Sequence, residues 1–210
     1  MIKIIIADDH PIVREGLKRI IDECIDMECI GEAANSEDVI HRCREKKVDV
    51  LLLDVSMPGA GFLDTLQRIT TKYPALRVLV LSIHPEEQYA IRAIRAGAAG
   101  YLTKNHTPEQ LAEAIRQVHA GHKYITPNVA QELINSLETN HENELHKSLS
   151  NREYQILCML GGGKQLTEIA SLLSLSPKTV GTYRNRILDK LKLRTTGELI
   201  RYAVEHAFKE

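Results

Sequence analysis

The chain has 210 residues, a length that suits two domains better than one small one, and it is 43% hydrophobic and 26% charged. No apolar stretch reaches the roughly 18 residues of a membrane span, which excludes a spanning helix. The net charge is −1, but residues 1–147 hold 17 Lys/Arg against 22 Asp/Glu (−5), whereas residues 148–210 hold 10 against 6 (+4). The basic C-terminal part therefore predicts contact with a polyanion.

Cysteine usage and the N-terminus bear on location. The four cysteines show no C-x-x-C pairing and do not lie near a histidine cluster, which favours buried reduced thiols over a metal site or disulfides. We expect the N-terminal residues to enter the first strand directly. These features predict a cytoplasmic protein in a reducing compartment, with no membrane contact.

The first 121 residues are predicted to form five β/α repeats. Alternating strands and helices with short loops predict a doubly wound, five-stranded parallel sheet of the flavodoxin-like α/β class. Helices are expected at about 11–24, 36–46, 62–73, 86–96 and 108–119. Their start and stop signals are Pro11, Ser36, Thr107-Pro108-Glu109, Gly97 and Gly121.

Four short apolar runs in this part each end at a charged or polar side chain. The runs 2–7, 48–53, 78–81 and 100–102 end at Asp8-Asp9, Asp54, Ser82 and Thr103-Lys104, respectively. Such runs are typical of buried parallel strands. Since ligands bind at the carboxyl ends of strands in open α/β sheets, we expect three carboxylates, one hydroxyl and one lysine to converge at one edge.

The chemistry of this set follows from its charge. Three neighbouring carboxylates repel unless a cation lies among them, and all-oxygen ligands suit Mg²⁺. An aspartate beside such a metal can attack a phosphoryl group, while a lysine and a hydroxyl contact the phosphoryl oxygens. Any one of these aspartates alone is more commonly a helix cap or a loop carboxylate. Their occurrence together at the ends of one series of strands favours the site.

The rest of the chain is predicted to be helical after a polar linker. A helix is expected at about 127–138, and residues 138–148 are almost free of apolar side chains, as in a linker. We therefore divide the chain into a first domain at 1–121, a helix and linker at 122–148, and an all-α domain at 149–210. In the last domain, Ser150 and Glu153 predict a capping box.

A short turn followed by a basic helix predicts a helix-turn-helix. The second helix of the domain carries Ile169-Ala170 and Leu172-Leu173, and Ser176-Pro177 caps the third. The third helix, at about 177–191, is expected to turn Val180, Tyr183, Ile187 and Leu191 inward. Six Lys/Arg and one Asp lie between Lys178 and Arg194. A basic face of this kind can simply be solvated, but the capped turn in a small domain favours DNA.

The chain resembles two-component response regulators of the NarL/FixJ family, nearest to the GacA/BvgA-like members. The matching motifs are IIIADDHP at 4–11, LLLDVSMPG at 51–59, AGAAGYLTK at 96–104, LSNRE at 149–153, EIA at 168–170 and LSPKTVGTYR at 175–184. They occur in the order of a receiver domain followed by a LuxR-type helix-turn-helix domain. The resemblance covers the whole chain except the linker, and it implies a regulator that binds DNA when phosphorylated.

The resemblance also implies roles for individual residues. It makes Asp54 the phosphoacceptor, and it makes Asp8, Asp9, Asp54 and the main-chain carbonyl of Ser56 the Mg²⁺ ligands. Ser82 and Lys104 contact the phosphoryl group, and Tyr101 is the switch aromatic that turns inward on phosphorylation. This is a shift between two states, which remodels the face made by the fourth helix, fifth strand and fifth helix.

Two positions depart from the family pattern. Phe62 stands where many members have glycine, so the loop beyond Asp54 is expected to pack differently. Gly181 stands where many members have a DNA-contacting lysine, which removes one side chain from the predicted reading face. We expect Thr182 and Asn185 to read bases and Lys178, Arg184 and Arg186 to contact phosphates, within a DNA-binding set that also includes Thr179 and Gly181.

The partners expected from the resemblance are double-stranded DNA, a sensor histidine kinase or phosphotransfer protein, a second copy of the chain on DNA, and RNA polymerase as a further candidate. The last helix, with Leu199, Ala203 and Val204, resembles the family's dimer contact. Two other functions compete: a phospho-regulated module whose basic domain docks an acidic protein, and a phosphatase that forms aspartyl-phosphate. Ser56 stands where such a phosphatase needs the second aspartate of D-x-D, so we predict that the chain is not an enzyme.

Overall fold

A computed structural model describes residues 1–45, 47–58, 61–82, 86–138, 149–173 and 175–205. The chain divides into two compact units, Met1–Ile134 and Asn135–Glu210. The predicted linker falls almost wholly outside the described residues, and the domain limits 1–121, 122–148 and 149–210 stay predictions. No helix in the described ranges has both the length and the apolar character that crossing a bilayer requires.

The first unit alternates strands and helices, as predicted. Its strands are β1 (Ile2–Ala7), β2 (Met27–Ala33), β3 (Val50–Asp54), β4 (Arg77–Ser82) and β5 (Gly100–Thr103). Its helices are α1 (Pro11–Asp22), α2 (Ser36–Glu45), α3 (Phe62–Lys72), α4 (Glu86–Arg95) and α5 (Pro108–His119), followed by α6 (Pro127–Glu138), which begins in this unit. The strand predicted at 48–53 begins two residues later, at Val50.

The five strands form one parallel sheet in the order β2-β1-β3-β4-β5. Strands β1 and β3 lie inside the sheet and are buried except at Lys3, which explains their largely apolar sequences. Helix α1 contacts α5, whereas α3 contacts both α2 and α4, so two helical layers enclose the sheet. The order reverses direction between β1 and β3, which places a crevice at their carboxyl ends.

Helix ends follow the predicted caps with one exception. Thr107 and Gln110 form a capping box at α5, and Gly97 and Gly121 take positive φ angles of 100° and 91° after α4 and α5. The prediction that Ser36 caps α2 is wrong. Asn35 Oδ1 caps the helix instead, because it accepts hydrogen bonds from the amides of Glu37 and Asp38 at 3.0 and 2.9 Å. The buried Ser36 hydroxyl donates to Pro58 O.

The second unit contains four described helices, α7 (Asn151–Gly161), α8 (Leu166–Leu172), α9 (Pro177–Leu191) and α10 (Thr196–Glu205). Helix α7 is its centre, because it contacts α8, α9 and α10. The predicted capping box of Ser150 and Glu153 is present at its start. Ser176 caps α9 by accepting a hydrogen bond from the Thr179 amide at 3.0 Å, as expected.

Burial in this unit agrees with most of the predicted inward positions. Val180, Ile187 and Leu191 of α9 are at most 2% exposed. Tyr183 is only half-buried, and its ring lies 5.8 Å from the Arg186 guanidinium carbon.

Candidate functional sites

The carboxyl edge of the sheet brings the predicted acidic residues together. Asp8 follows the last residue of β1, and Asp54 is the last residue of β3. Their preceding residues, Ala7 and Leu53, are paired directly across the two strands. Parallel pairing in register therefore puts the two carboxylates side by side at the crevice, where both are 1% exposed.

Lys104 lies between these two carboxylates. Its Nζ is 2.6 Å from Asp8 Oδ2 and 2.7 Å from Asp54 Oδ1. The lysine follows β5, and its amide donates to Ser82 O at 2.6 Å, which ties it to the end of β4. Three strand ends thus hold one ammonium against two buried carboxylates, so one of the two negative charges is compensated.

The electrostatics of the group follow from this burial. Desolvation raises the pKa of Asp54 above its ordinary value, with Asp8 adding to the rise, while the neighbouring Lys104 ammonium opposes it. For Lys104, burial alone lowers the pKa, but attraction by Asp54 and Asp8 outweighs it, so the pKa is raised. Lys104 is therefore a fixed cation at neutral pH, and a proton on Asp54 is easier to keep than in water.

Asp9 and His10 complete a group of donors beside Asp8. One ligand atom from each of Asp8, Asp9 and His10 lies within 4.8 Å of the others. Asp9 Oδ1 is buried without a hydrogen bond within the described part of the chain, although His10 Nδ1 is 2.9 Å from it, out of hydrogen-bond alignment. A buried carboxylate oxygen that lacks a donor suits a cation, so the group fits Mg²⁺.

The residues predicted to act in the switch lie at or near strand ends. Ser82, at the end of β4, is fully buried, and Tyr101, in β5, is 1% exposed, so its ring already lies inward. Phe62, at the departure from the family pattern, begins α3 and packs edge-to-face on Tyr89 of α4, with ring centroids 5.6 Å apart. The loop beyond Asp54 is thereby linked to α4. Ser56 donates its amide to Asp54 Oδ2 at 3.1 Å.

Two residues of this edge were missed by sequence reasoning. His10 touches both predicted carboxylates, with its amide 2.8 Å from Asp8 Oδ1. Arg14, one helical turn later, donates to Asp8 O at 2.8 Å and to Glu32 at 3.0 Å. Their position directly after Asp8-Asp9, at the start of a helix, was the available signal.

The second site is the exposed side of α9. Lys178, Thr182, Asn185 and Arg186 are exposed, whereas Thr179, Gly181 and Arg184 are half-buried. No heavy atom lies within 4 Å of where a Gly181 Cβ would stand, so the departure leaves open space on this face. Thr182 Oγ1 donates back to Lys178 O at 3.1 Å. The helix thus presents a polar and basic side, opposite its buried stripe.

Arg184 orients its neighbour Asn185. Its Nη2 and Nε are 2.7 and 3.2 Å from Asn185 Oδ1, and its Nη1 is 3.4 Å from Thr196 Oγ1 of α10. The oxygen of the Asn185 amide is therefore engaged, which leaves its NH₂ group as the available donor. Arg184 was predicted to contact a phosphate, and this role stays a prediction.

Burial corrects one other expectation for this unit. Leu199 and Ala203 were expected at a contact between copies, but both are 0% exposed, because they pack within their own unit. The exposed apolar side chains of α10 are Ile200 and Val204, at 36% and 41%. Leu172 of α8 is also exposed, at 48%. Lys190, one of the six basic residues of this region, forms an ion pair with Glu153, with its Nζ 2.7 Å from Glu153 Oε2.

Comparison with known families identifies both units. Residues 4–116 match the family model described as "Response regulator receiver domain", and residues 147–203 match "Bacterial regulatory proteins, luxR family". The first match covers the whole carboxylate edge of the sheet. The second covers the helix-turn-helix and its basic face.

Similar proteins extend over almost the whole chain. Response regulator UvrY of Escherichia coli is 38% identical over 207 residues, which cover 98% of this chain and 95% of UvrY. Response regulator GacA of Pseudomonas aeruginosa is 40% identical over 207 residues, covering 98% and 97%.

A solved structure of RcsB from Salmonella enterica serovar Typhimurium, bound to promoter rprA in the presence of phosphomimetic BeF₃⁻, is 25% identical with a TM-score of 0.65, covering 96% of this chain and 97% of that one. A second RcsB structure, bound to promoter P1flhDC with the same phosphomimetic, has a TM-score of 0.66 at 25% identity, with coverage of 96% and 97%. The chain therefore belongs to the two-component response regulators of the NarL/FixJ family, with a receiver domain and a LuxR-type helix-turn-helix domain, and it is a phosphorylation-gated regulator of transcription.

Proposed function

We propose that Asp54 is the residue that accepts the phosphoryl group, from a sensor histidine kinase or a phosphotransfer protein. The observation that carries this proposal is the position of Asp54 at the central strand end, with Lys104 Nζ 2.7 Å from its Oδ1. Among the three carboxylates, only Asp54 ends a strand and adjoins both Lys104 and the buried Ser82 strand end. Its carboxylate attacks the phosphorus of the donor's phosphohistidine, which forms an acyl phosphate as the P–N bond breaks and the donor histidine leaves.

The neighbouring side chains stabilise the added charge. Lys104 already donates toward Asp54, and it contacts a phosphoryl oxygen once the group is attached. Ser82 supplies a hydroxyl from the adjacent strand end, and the buried Tyr101 responds to the movement of Ser82. Asp8, Asp9, Asp54 and the carbonyl of Ser56 are the proposed Mg²⁺ ligands. When bound, Mg²⁺ neutralises charge on the phosphoryl oxygens.

The assignment is tested by intact-protein mass. Wild type, Asp54→Asn and the control Asp64→Asn, in the first turn of α3, are incubated with acetyl phosphate and Mg²⁺. We expect wild type and the control to gain one phosphoryl mass and Asp54→Asn to gain none. Phosphorylation of Asp54→Asn to the wild-type extent would refute the assignment.

The proposed output is sequence-specific binding of double-stranded DNA by α9 in the major groove. Its support is the capped, basic, exposed side of α9, together with the similarity to RcsB, whose structure is bound to promoter DNA. Thr182 and Asn185 face outward to read bases, and Lys178, Arg184 and Arg186 contact phosphates, with Thr179 and Gly181 at the same surface. The Asn185 NH₂ is the donor offered to a base acceptor.

Two variants separate base reading from phosphate contact. Asn185→Ala should lower the preference for a cognate site over a mutated one, by about 1–3 kcal/mol. Lys178→Ala should weaken binding to the cognate and the mutated site equally, and it should reduce the slope of log K against log salt concentration by about one. Arg201→Ala, on α10, is the matched control and should change neither. Binding that does not weaken as salt rises would instead favour docking of an acidic protein.

The remaining partners follow from this function. One small domain offers few base-reading side chains, so specific binding needs two copies on adjacent half-sites. The proposed contact between the copies uses the exposed Ile200 and Val204 of α10, rather than the buried Leu199 and Ala203. RNA polymerase is a further proposed partner of the DNA-bound form. Since the protein acts on chromosomal DNA, we propose a cytoplasmic location, and no turnover reaction of its own.

A further inference from the structure

A cavity of about 330 Å³ lies at the edge of the sheet opposite the carboxylates. Its walls come from the end of α3, the first residue of β4, the turn before β5 and the segment that follows α5. The polar side chains that line it are Thr70, Thr71, Arg77, His122 and Lys123. The phosphorylation chemistry uses none of them.

The charge of this cavity is one-sided. Arg77, His122 and Lys123 line it, and none of the described lining residues is acidic. Arg77 and Lys123 lie close enough that the positive charge of Arg77, added to the effect of burial, lowers the pKa of Lys123. Within the described ranges, the Arg77 side chain forms neither an ion pair nor a hydrogen bond. Among the residues that the structure describes, these two neighbouring cations therefore have no carboxylate partner.

Interaction with main-chain carbonyl groups would explain the position of Lys123 but not that of Arg77. Cations near a helix C-terminus can interact favourably with its carbonyl groups. Lys123 instead has a carbonyl partner in the turn between α4 and β5, because its Nζ donates to Ala98 O. Among the described residues, Arg77 has no carbonyl partner for its side chain. Its exposed guanidinium lies beside Gly121, since a Cβ added to that glycine would stand 3.9 Å from Arg77 Nη2.

We propose that this cavity binds a small phosphate-bearing anion between Arg77 and Lys123. The planar guanidinium offers paired donors that match a phosphate, and Lys123 retains two ammonium protons besides the one given to Ala98 O. His122 and the exposed Thr71 hydroxyl complete the donor set. The volume lies at the lower end of small-molecule sites, which suits free phosphate or a small phosphorylated metabolite.

Binding here would act on the segment that leads from α5 to α6. That segment pairs with the free edge of β5, since the Tyr101 amide donates to Tyr124 O at 3.0 Å and the Tyr124 amide donates to Ala99 O at 3.1 Å. His122 and Lys123 immediately precede Tyr124. An anion held by Lys123 therefore stabilises this segment on β5, the strand that carries the switch aromatic Tyr101.

The test is a titration of the full chain followed by amide chemical shifts in ¹⁵N-labelled protein. The probes are inorganic phosphate and pyrophosphate, with sodium chloride at matched ionic strength. We expect saturable shifts at Gly97, Gly121 and His122 with the phosphates and none with chloride. Tighter binding of pyrophosphate would indicate a phosphorylated metabolite as the natural ligand, and equal binding would indicate free phosphate.

Matched variants decide whether the cavity is responsible. Arg77→Gln, at an exposed side chain, and Lys123→Gln should each weaken phosphate binding by at least about tenfold. Lys72→Gln is the control, since Lys72 is a nearby cation of α3 that does not line this cavity. Affinity unchanged in Arg77→Gln, equal shifts with chloride, or shifts confined to the neighbours of Asp8 and Asp54 would overturn the proposal.

Discussion

Replacement of Lys104 by methionine tests the charge balance at the carboxylate edge. The change keeps the aliphatic length and removes the ammonium that lies 2.6 Å from Asp8 Oδ2 and 2.7 Å from Asp54 Oδ1. The lysine side chain is 14% exposed, and its partners are only 1% and 2% exposed. The variant therefore leaves two buried carboxylates facing each other without a cation.

The size of the effect follows from that burial. Removing one partner of a buried ion pair typically costs about 3–5 kcal/mol. Proton uptake limits the loss, because burial already raises the pKa of Asp54 and each unit is worth about 1.4 kcal/mol. We expect the free energy of unfolding of the first unit to fall by about 3 kcal/mol near pH 7.5 without Mg²⁺.

The dependence on pH and Mg²⁺ has a definite sign. Without Lys104, the pKa of Asp54 rises further, so the folded state binds its proton more tightly than the unfolded state does. The stability that this proton contributes is present at low pH and lost as the pH rises. The deficit in the free energy of unfolding of Lys104→Met relative to wild type should therefore grow between pH 5 and pH 8. Added Mg²⁺ should reduce the deficit, since a cation then lies among the carboxylates.

Hydrogen exchange of β1 and β3 amides measures this unit separately from the helical one. Arg116→Met is the matched control, because Arg116 pairs with Asp26 at 2.7 Å but both side chains are about half exposed. The loss of unfolding free energy in Arg116→Met should be much smaller than in Lys104→Met and independent of Mg²⁺. A Lys104→Met deficit that is insensitive to both pH and Mg²⁺, or no larger than that of the control, would refute the reasoning.

Three further predictions concern packing and acid stability. Burial opposes ionisation of Glu153, but hydrogen bonds from Lys190 and the Ser150 amide lower its pKa overall. Glu153→Gln should therefore destabilise the helical unit in thermal unfolding at pH 7, and this difference from wild type should disappear as the pH falls below the ordinary glutamate pKa of 4.5. A difference that stays constant with pH would contradict this prediction. Gly100→Ala would place a Cβ 2.8 Å from Tyr124 O and should cost about 1–3 kcal/mol in urea unfolding, whereas Gly16→Ala, with open space around it, should not destabilise. Gly181→Ala should raise the stability of the helical unit by up to about 1 kcal/mol, and a loss of DNA affinity in the same variant would show that DNA approaches this backbone closely.

The elements found from the sequence were those with a strong local pattern. Strands β1, β3 and β4 are buried along nearly their whole length, so their sequences are continuous apolar runs. Strand β2 (Met27–Ala33) was implied by the five repeats but had no run of its own. It lies at the edge of the sheet, pairs only with β1 and is mostly half-buried, so polar residues interrupt it.

The sequence by itself determined which residues stand at strand ends and helix starts, because strand and helix periods, glycines, prolines and caps act over a few neighbouring residues. It thereby placed Asp8, Asp54 and Lys104 at one edge. Only the tertiary structure decided which atoms meet there, since Lys104 and Asp8 are 96 residues apart in the chain. The inward Tyr101 ring and the burial of Leu199 likewise depend on elements distant in sequence, whose packing no local pattern encodes.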